Sequence, residues 1–226
     1  MKLFWKILIP AIISVVILLR LLAGEVCTVS SESMEPTIIV GDRLWIDKFT
    51  YGAQLPKRFA DIPLLNVFTW IKPLRLADRK NDWGNKRMKG LRMPRIGDLV
   101  VFESPEPPYP LLVKRIASRL RTGDTIVIHA SNYNDLHHIA ACEGKDIFMK
   151  NDSVFINGKP ESICILSQPY YRMLGDNRKN SYDSRQFGYI PCSSVVGRMN
   201  FVFFSINTDN RFVARIRWNR FFKAIK

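Results

Sequence analysis

The chain has 226 residues and is 47% hydrophobic, which suits one domain with a real core plus a short extra segment and excludes a disordered chain. Its 34 lysines and arginines against 20 acids give a formal charge of +14, which calls for a partner or another explanation: nucleic acid, anionic lipid or an acidic surface. The four cysteines, Cys27, Cys142, Cys164 and Cys192, have neither CxxC metal spacing nor the density of a disulfide scaffold, and they leave the redox compartment open.

Ile7 to Leu19 is an unbroken apolar run apart from Pro10, flanked by Lys6 and Arg20. Extended to Leu3–Ala23, it reaches about 31 Å as a helix, enough to cross a bilayer if both cations snorkel. A cleaved signal peptide is the competing reading, but Leu21-Leu22-Ala23-Gly24 gives no small-x-small cleavage site. We therefore expect an uncleaved anchor over residues 1–24. Lys2 and Lys6 ahead of it favour a cytoplasmic N-terminus and an exported C-terminal domain, although Arg20 and the basic domain pull the other way.

From residue 25 to 210 the pattern is mainly β. Val26–Val29, Arg43–Ile46, Asp98–Phe102, Leu111–Ile116, Thr125–Ile128 and Val195–Ser205 are short runs rich in branched or aromatic residues. Asp146–Gly158 has the form of a hairpin about Asn151-Asp152-Ser153, within a small second β region at 120–169. An antiparallel β core follows. Residues 53–96 break the pattern. They combine Leu64, Leu65, Val67, Phe68, Trp70 and Ile71 with nine basic residues between Lys72 and Arg95. Such an insertion is either a solvated loop or a segment lying at a membrane surface. The tail, 211–226, carries six basic residues and no acid, with Phe212, Ile216, Phe221, Phe222 and Ile225 at roughly helical spacing. A ragged amphipathic helix touching lipid is expected there, or one packed on the domain.

For chemistry, a serine nucleophile needs a base. His129, His137 and His138 are the only histidines, and none stands in a recognisable motif. A lysine can serve if burial depresses its pKa. Lys114, between Leu111-Leu112-Val113 and Ile116-Ala117, would sit among apolar neighbours on an alternating strand, with Arg115 on the opposite face. The other 33 basic residues have the same general claim, so spacing alone does not choose Lys114.

Four blocks decide the matter by likeness. Ser31-Glu32-Ser33-Met34-Glu35-Pro36-Thr37 is followed by Gly41-Asp42. Gly97-Asp98-Leu99-Val100-Val101-Phe102 comes next, then Val113-Lys114-Arg115. Gly175-Asp176-Asn177-Arg178-Lys179-Asn180-Ser181-Tyr182-Asp183-Ser184-Arg185 closes the series. In that order they resemble the bacterial type I signal peptidases, membrane-anchored proteases that use a serine and a lysine, and every fixed position of the first and last blocks is present. The resemblance implies an antiparallel β catalytic domain of that family's type, with Ser33 as nucleophile and Lys114 as general base. It also implies an oxyanion hole from the Ser31 hydroxyl and the Ser33 backbone N–H, such donors contributing about 3–4 kcal/mol each. Ser181 would orient Lys114, and the pairs Asp176–Arg115 and Asp183–Arg185 would act as scaffolding. Met34, Ile38 and Val113 would line a shallow pocket for a small side chain, with Val29, Leu44 and Val101 behind it.

The function implied is removal of signal peptides from exported preproteins at the bacterial inner membrane, through an acyl-enzyme, with small residues preferred at −1 and −3. No metal or other cofactor is implied. Lipid and preproteins are the expected partners, and nucleic acid is not. The chain departs from the best-known members in having one apparent membrane segment rather than two. Two other readings stand beside this one. A peptidase dedicated to one exported substrate is disfavoured by the form of the Gly175–Arg185 block. A non-catalytic, membrane-tethered basic binding protein rests on charge alone, with no stacking or recognition-helix motif to support it.

Overall fold

A computed structural model describes residues 2–62, 70–81, 83–84, 86–105, 111–207 and 215–225. Helix α1 (Lys2–Leu22) contains Pro10 and has no acid in its first turn. Its Phe4–Leu22 window has a mean hydropathy of 2.2 and is not packed against the rest of the chain, so it is long and apolar enough to cross a membrane. Only Ala23 separates α1 from the first strand.

The main sheet is antiparallel throughout. It contains β1 (Gly24–Thr28), β2 (Asp42–Asp47), β3 (Leu99–Glu103), β4 (Leu111–Leu120) and β9 (Tyr170–Leu174), with the short β10 (Ile190–Pro191) and the long β11 (Val195–Asn207). Strand order is β1-β2-β11-β3-β4-β9-β10, which places the 13-residue β11 between β2 and β3. Strand β3 shows why this sheet is stable. Successive side chains leave a strand on opposite faces, and Leu99, Val100, Val101 and Phe102 are all buried. Leu99 and Val101 join a core with Val29, Met34, Ile38 and Leu44. Val100 and Phe102 join a second core with Ile116, Tyr171, Met173 and Phe187. Both faces of the sheet centre are covered, so a run of four apolar residues is required there rather than an alternating one.

A smaller unit at 125–166 pairs β5 (Thr125–Val127) with β8 (Ile163–Ile165) and β6 (Ile147–Lys150) with β7 (Ser153–Ile156). The hairpin expected at 146–158 forms, with Asn151 and Asp152 at positive φ in its turn. The same unit holds a helix that the strand-dominated reading did not anticipate, α3 (Tyr133–Cys142), which buries Ile139 and Ala140 against Ile128, Val154 and Leu166.

The tail corrects an expectation. No helix occupies its described part. Instead β12 (Arg215–Ile216) and β13 (Lys223–Ala224) pair with β11 around a short 3-10 turn at Trp218–Arg220. The apolar residues that suggested a helix are used in other ways: Phe222 meets Phe201 and Phe203, and Ile225 packs on the first core. Arg211 and Phe212, counted in that expectation, lie outside the described residues.

In the 53–96 segment, Leu64, Leu65, Val67 and Phe68 also lie outside the described residues. Its two ends are tied together by the bridge between Gln54 and Arg87 and by Met88 N–H donating to the Ala53 carbonyl at 2.9 Å. Arg87 also donates to the carbonyls of Gly52 and Val195. Its one described α-helix, α2 (Lys72–Lys80), carries exposed Leu74 and Leu76, and Trp70 just before it is 85% exposed.

Candidate active site

The loop between β1 and β2 carries the serine block. Its ends are closed by backbone bonds from Val29 N–H to the Asp42 carbonyl (2.9 Å) and from Gly41 N–H to the Val29 carbonyl (3.1 Å). Gly41 has φ +91°, and a Cβ there would lie 2.0 Å from the Ile206 carbonyl oxygen, so only glycine fits. Within the loop, Ile38 N–H donates to the Met34 carbonyl at 3.0 Å, which tucks both side chains into the first core. Glu35–Pro36 is a cis peptide.

Ser33 sits at the mouth of this loop, 9% exposed. Lys114 reaches it from β4, its Nζ donating to Ser33 Oγ at 2.6 Å. The strand pairing explains the lysine's surroundings. Lys114 stands opposite Val100 on β3, two residues before Ile116, and both neighbours are buried. Lys114 itself is only 2% exposed. Burial pushes its pKa down from 10.5 to about 8, and the negative charges of Asp183 and Asp176 hold it from falling further. A substantial fraction of neutral amine at mildly alkaline pH is the chemical consequence. Among the described residues, no histidine contacts Ser33. His137 instead stacks on Tyr133 and bonds that residue's carbonyl within α3.

The supporting residues come from the 175–185 segment after β9. Arg115 grips Asp176 through two bonds, Nε–Oδ1 at 2.9 Å and Nη2–Oδ2 at 2.8 Å, and Thr37 Oγ1 donates to Asp176 Oδ2 at 2.7 Å. The serine loop is thereby tied to the lysine strand. Asp183, wholly buried, takes two bonds from Arg185 at 2.9 and 3.0 Å and one from Gly175 N–H at 3.0 Å. Its carboxyl is held down near pKa 2 despite burial by Arg185, by the backbone N–H groups of Gly175 and Arg185, and by the nearby Ser181 hydroxyl. Asp183 also caps α4 (Ser184–Phe187).

Ser31 Oγ lies 3.2 Å from Ser33 Oγ, on the same loop. Ser181 departs from expectation in one respect. Its Oγ is buried but has no partner at hydrogen-bond geometry among the described residues, so the expected bond to Lys114 is not formed here. Gly175 accounts for its placement. A Cβ on Gly175 would stand 2.1 Å from Ser181 Oγ and 2.6 Å from the Ser33 carbonyl oxygen. That carbonyl also accepts from Asn177 N–H at 3.1 Å.

A cleft opens beside Ser33 and Lys114. Met34, Ile38 and Val113 line it, as the sequence suggests, and so does Val29, expected from the sequence to lie behind the pocket; Leu44 and Val101 lie in the core. Leu111, Leu112, Asn180 and Tyr182 line it too and were not anticipated. Asn180 and Tyr182 belong to a block already singled out, but only the fold turns them toward the serine loop, where Asn180 Nδ2 donates to Glu32. The four cysteines, all within the described residues, are unpaired.

Comparisons with known proteins place the chain in a family. A model of the signal peptidases, peptidase family S26, matches residues 1–172 and 164–204. The chain is 24% identical to the signal peptidase I of Helicobacter pylori strain J99 over 95% of this chain and 90% of that protein. It is 27% identical to the signal peptidase I of Leptolyngbya laminosa, over 84% of this chain and 73% of the relative. It is 24% identical to a probable signal peptidase I-2 of Synechocystis sp., over 86% and 71%. With the family model spanning nearly the whole chain, this protein belongs to the signal peptidases of family S26, serine peptidases that remove signal peptides.

Proposed function

We propose that Ser33 and Lys114 form a catalytic dyad that cleaves signal peptides from exported preproteins by way of an acyl-enzyme. The observation that carries this reading is the 2.6 Å contact between a buried lysine amine of lowered pKa and a serine hydroxyl at the edge of a cleft. In the neutral form Lys114 accepts the Ser33 proton as Oγ attacks the scissile carbonyl. The oxyanion is held by the Ser31 hydroxyl and the Ser33 backbone N–H, and the resulting Lys114 ammonium returns its proton to the leaving amine. Lys114 then deprotonates the water that hydrolyses the ester. Ser181, whose hydroxyl is buried beside Gly175 and the Ser33 carbonyl, is the residue we assign to orient the lysine. Arg115–Asp176 and Arg185–Asp183 hold the two halves of the site in register.

A cleft walled by Val29, Met34, Ile38 and Val113 suits small side chains at −1 and −3. We place residues 1–24 as a single-pass anchor in the inner (cytoplasmic) membrane of a bacterium, N-terminus cytoplasmic. Residues 25–210 form the catalytic domain on the exported side and 211–226 its basic tail, of which β12 and β13 pair with β11. Exposed Trp70, Leu74, Trp218 and Phe222 among basic residues suit contact with anionic lipid.

The test is cleavage of a preprotein with an Ala-x-Ala site, in lipid or detergent, by wild type and by Lys114→Ala. Cleavage at that site by wild type alone supports the dyad. Cleavage by both would remove Lys114 from the base role, and cleavage by neither would reject the substrate class.

A further inference from the structure

The C-terminal segment has a role at the site that its composition does not suggest. Arg220 is 7% exposed and Asp42, its partner, is wholly buried. The pair is bidentate: Arg220 Nε meets Asp42 Oδ1 at 2.9 Å and Nη2 meets Oδ2 at 2.5 Å. The same Nη2 donates to the Thr37 carbonyl at 3.1 Å. Three residues earlier, just before the turn, Arg217 Nη1 donates to the Val40 carbonyl at 2.8 Å and to Ser205 Oγ at 3.2 Å. The Asp42 carboxylate also accepts from Ile39 N–H at 3.1 Å. Two tail arginines therefore hold residues 37–42 directly, and Ile38, which walls the cleft, lies inside the span they hold.

From these contacts we infer that the tail is a positioning and specificity element: Arg220 and Arg217 fix the 37–42 loop so that Ile38 and Met34 keep the cleft small. Thr37 is the pivot. Its hydroxyl is held from one side by Asp176, itself gripped by Arg115, and its carbonyl from the other side by Arg220. Releasing the Arg220 side leaves the nucleophile's end of the loop tied to Asp176 and frees the Ile38 end. Small-residue selectivity is then lost before turnover of the preferred substrate. An arginine is required, because three donors must reach two carboxylate oxygens and a carbonyl from one planar group, which a lysine cannot do.

This inference rests on the proposed small-residue preference, and its test separates the two. Full-length enzyme in detergent is assayed on two signal-peptide substrates that differ only in Ala or Val immediately before the cut. The readout is the ratio of their kcat/KM values, which does not depend on how much of a preparation is folded. Arg220→Lys should lower the Ala/Val ratio by about tenfold, the scale on which a pocket discriminates one or two methylenes. Arg217→Ala, which leaves the buried ion pair intact, should lower it in the same direction and decides the question if Arg220→Lys does not fold. Arg92→Lys is the control. It weakens another bidentate pair, with Asp98 at 2.7 and 2.9 Å, neither of whose partners hydrogen-bonds to residues 37–42 among the described residues. Its ratio should match wild type. An unchanged ratio in the tail variants overturns the inference and leaves the tail a stabilising element only. A wild-type enzyme without an alanine preference would instead reject the reading of the substrate.

Discussion

Lys114 should weaken the fold it serves. A solvated lysine has a pKa of 10.5, and burial lowers this one to about 8. A difference of that size, at about 1.4 kcal/mol per unit, means that the protonated amine destabilises the native state by about 3 kcal/mol. Between pH 8 and 10.5 the unfolded chain binds a proton at this site that the native chain does not, so stability rises with pH across that window. Below pH 8 both states are protonated and the full penalty is present. Lys114→Met, of similar length and without charge, removes the penalty, losing in exchange the bond to Ser33. The variant should therefore be inactive yet more stable than wild type at pH 7, by up to about 3 kcal/mol, or about 6–12 °C in Tm for a domain of this size. The advantage should shrink through pH 8–10 and disappear near 10.5. Denaturant unfolding in detergent, followed by tryptophan fluorescence, measures it, since Trp45 stacks on Phe201 in the main sheet. A Lys114→Met protein less stable than wild type at pH 7, or an advantage independent of pH, would refute the argument that burial sets this lysine's pKa.

Three further outcomes are expected. Ser33→Ala should abolish cleavage with the fold and Tm nearly unchanged, checked by turnover and circular dichroism, because among the described residues the side chain hydrogen-bonds only to Lys114 and Ser31. Gly175→Ala should reduce kcat by at least about a hundredfold with a smaller effect on KM, since its Cβ would displace Ser181 and the Ser33 carbonyl together. The dependence of kcat/KM on pH should show an acidic limb, low below pH 8 and rising with pH to a plateau with a midpoint near 8, and Ser181→Ala should lower the plateau without abolishing activity.

The sequence by itself was enough for the family and for much of the sheet. Leu99–Phe102 and the alternation about Lys114 have a period that sterics imposes locally, and the serine and 175–185 blocks carry their residue types in fixed order. Local pattern also reached the 146–158 hairpin, whose Asn151 and Asp152 tolerate positive φ. Three features were decided only by tertiary structure. The apolar spacing in the tail is compatible with a helix, and β11 overrides it by offering an unpaired edge to β12 and β13. Arg220 is one of 34 cations in the sequence. Only the fold, by returning the tail to the serine loop, buries it against an acid 178 residues away. The same holds for Lys114. Alternation placed it on an apolar face, but its lowered pKa depends on how completely distant strands exclude water from that face, and a linear pattern does not contain that information.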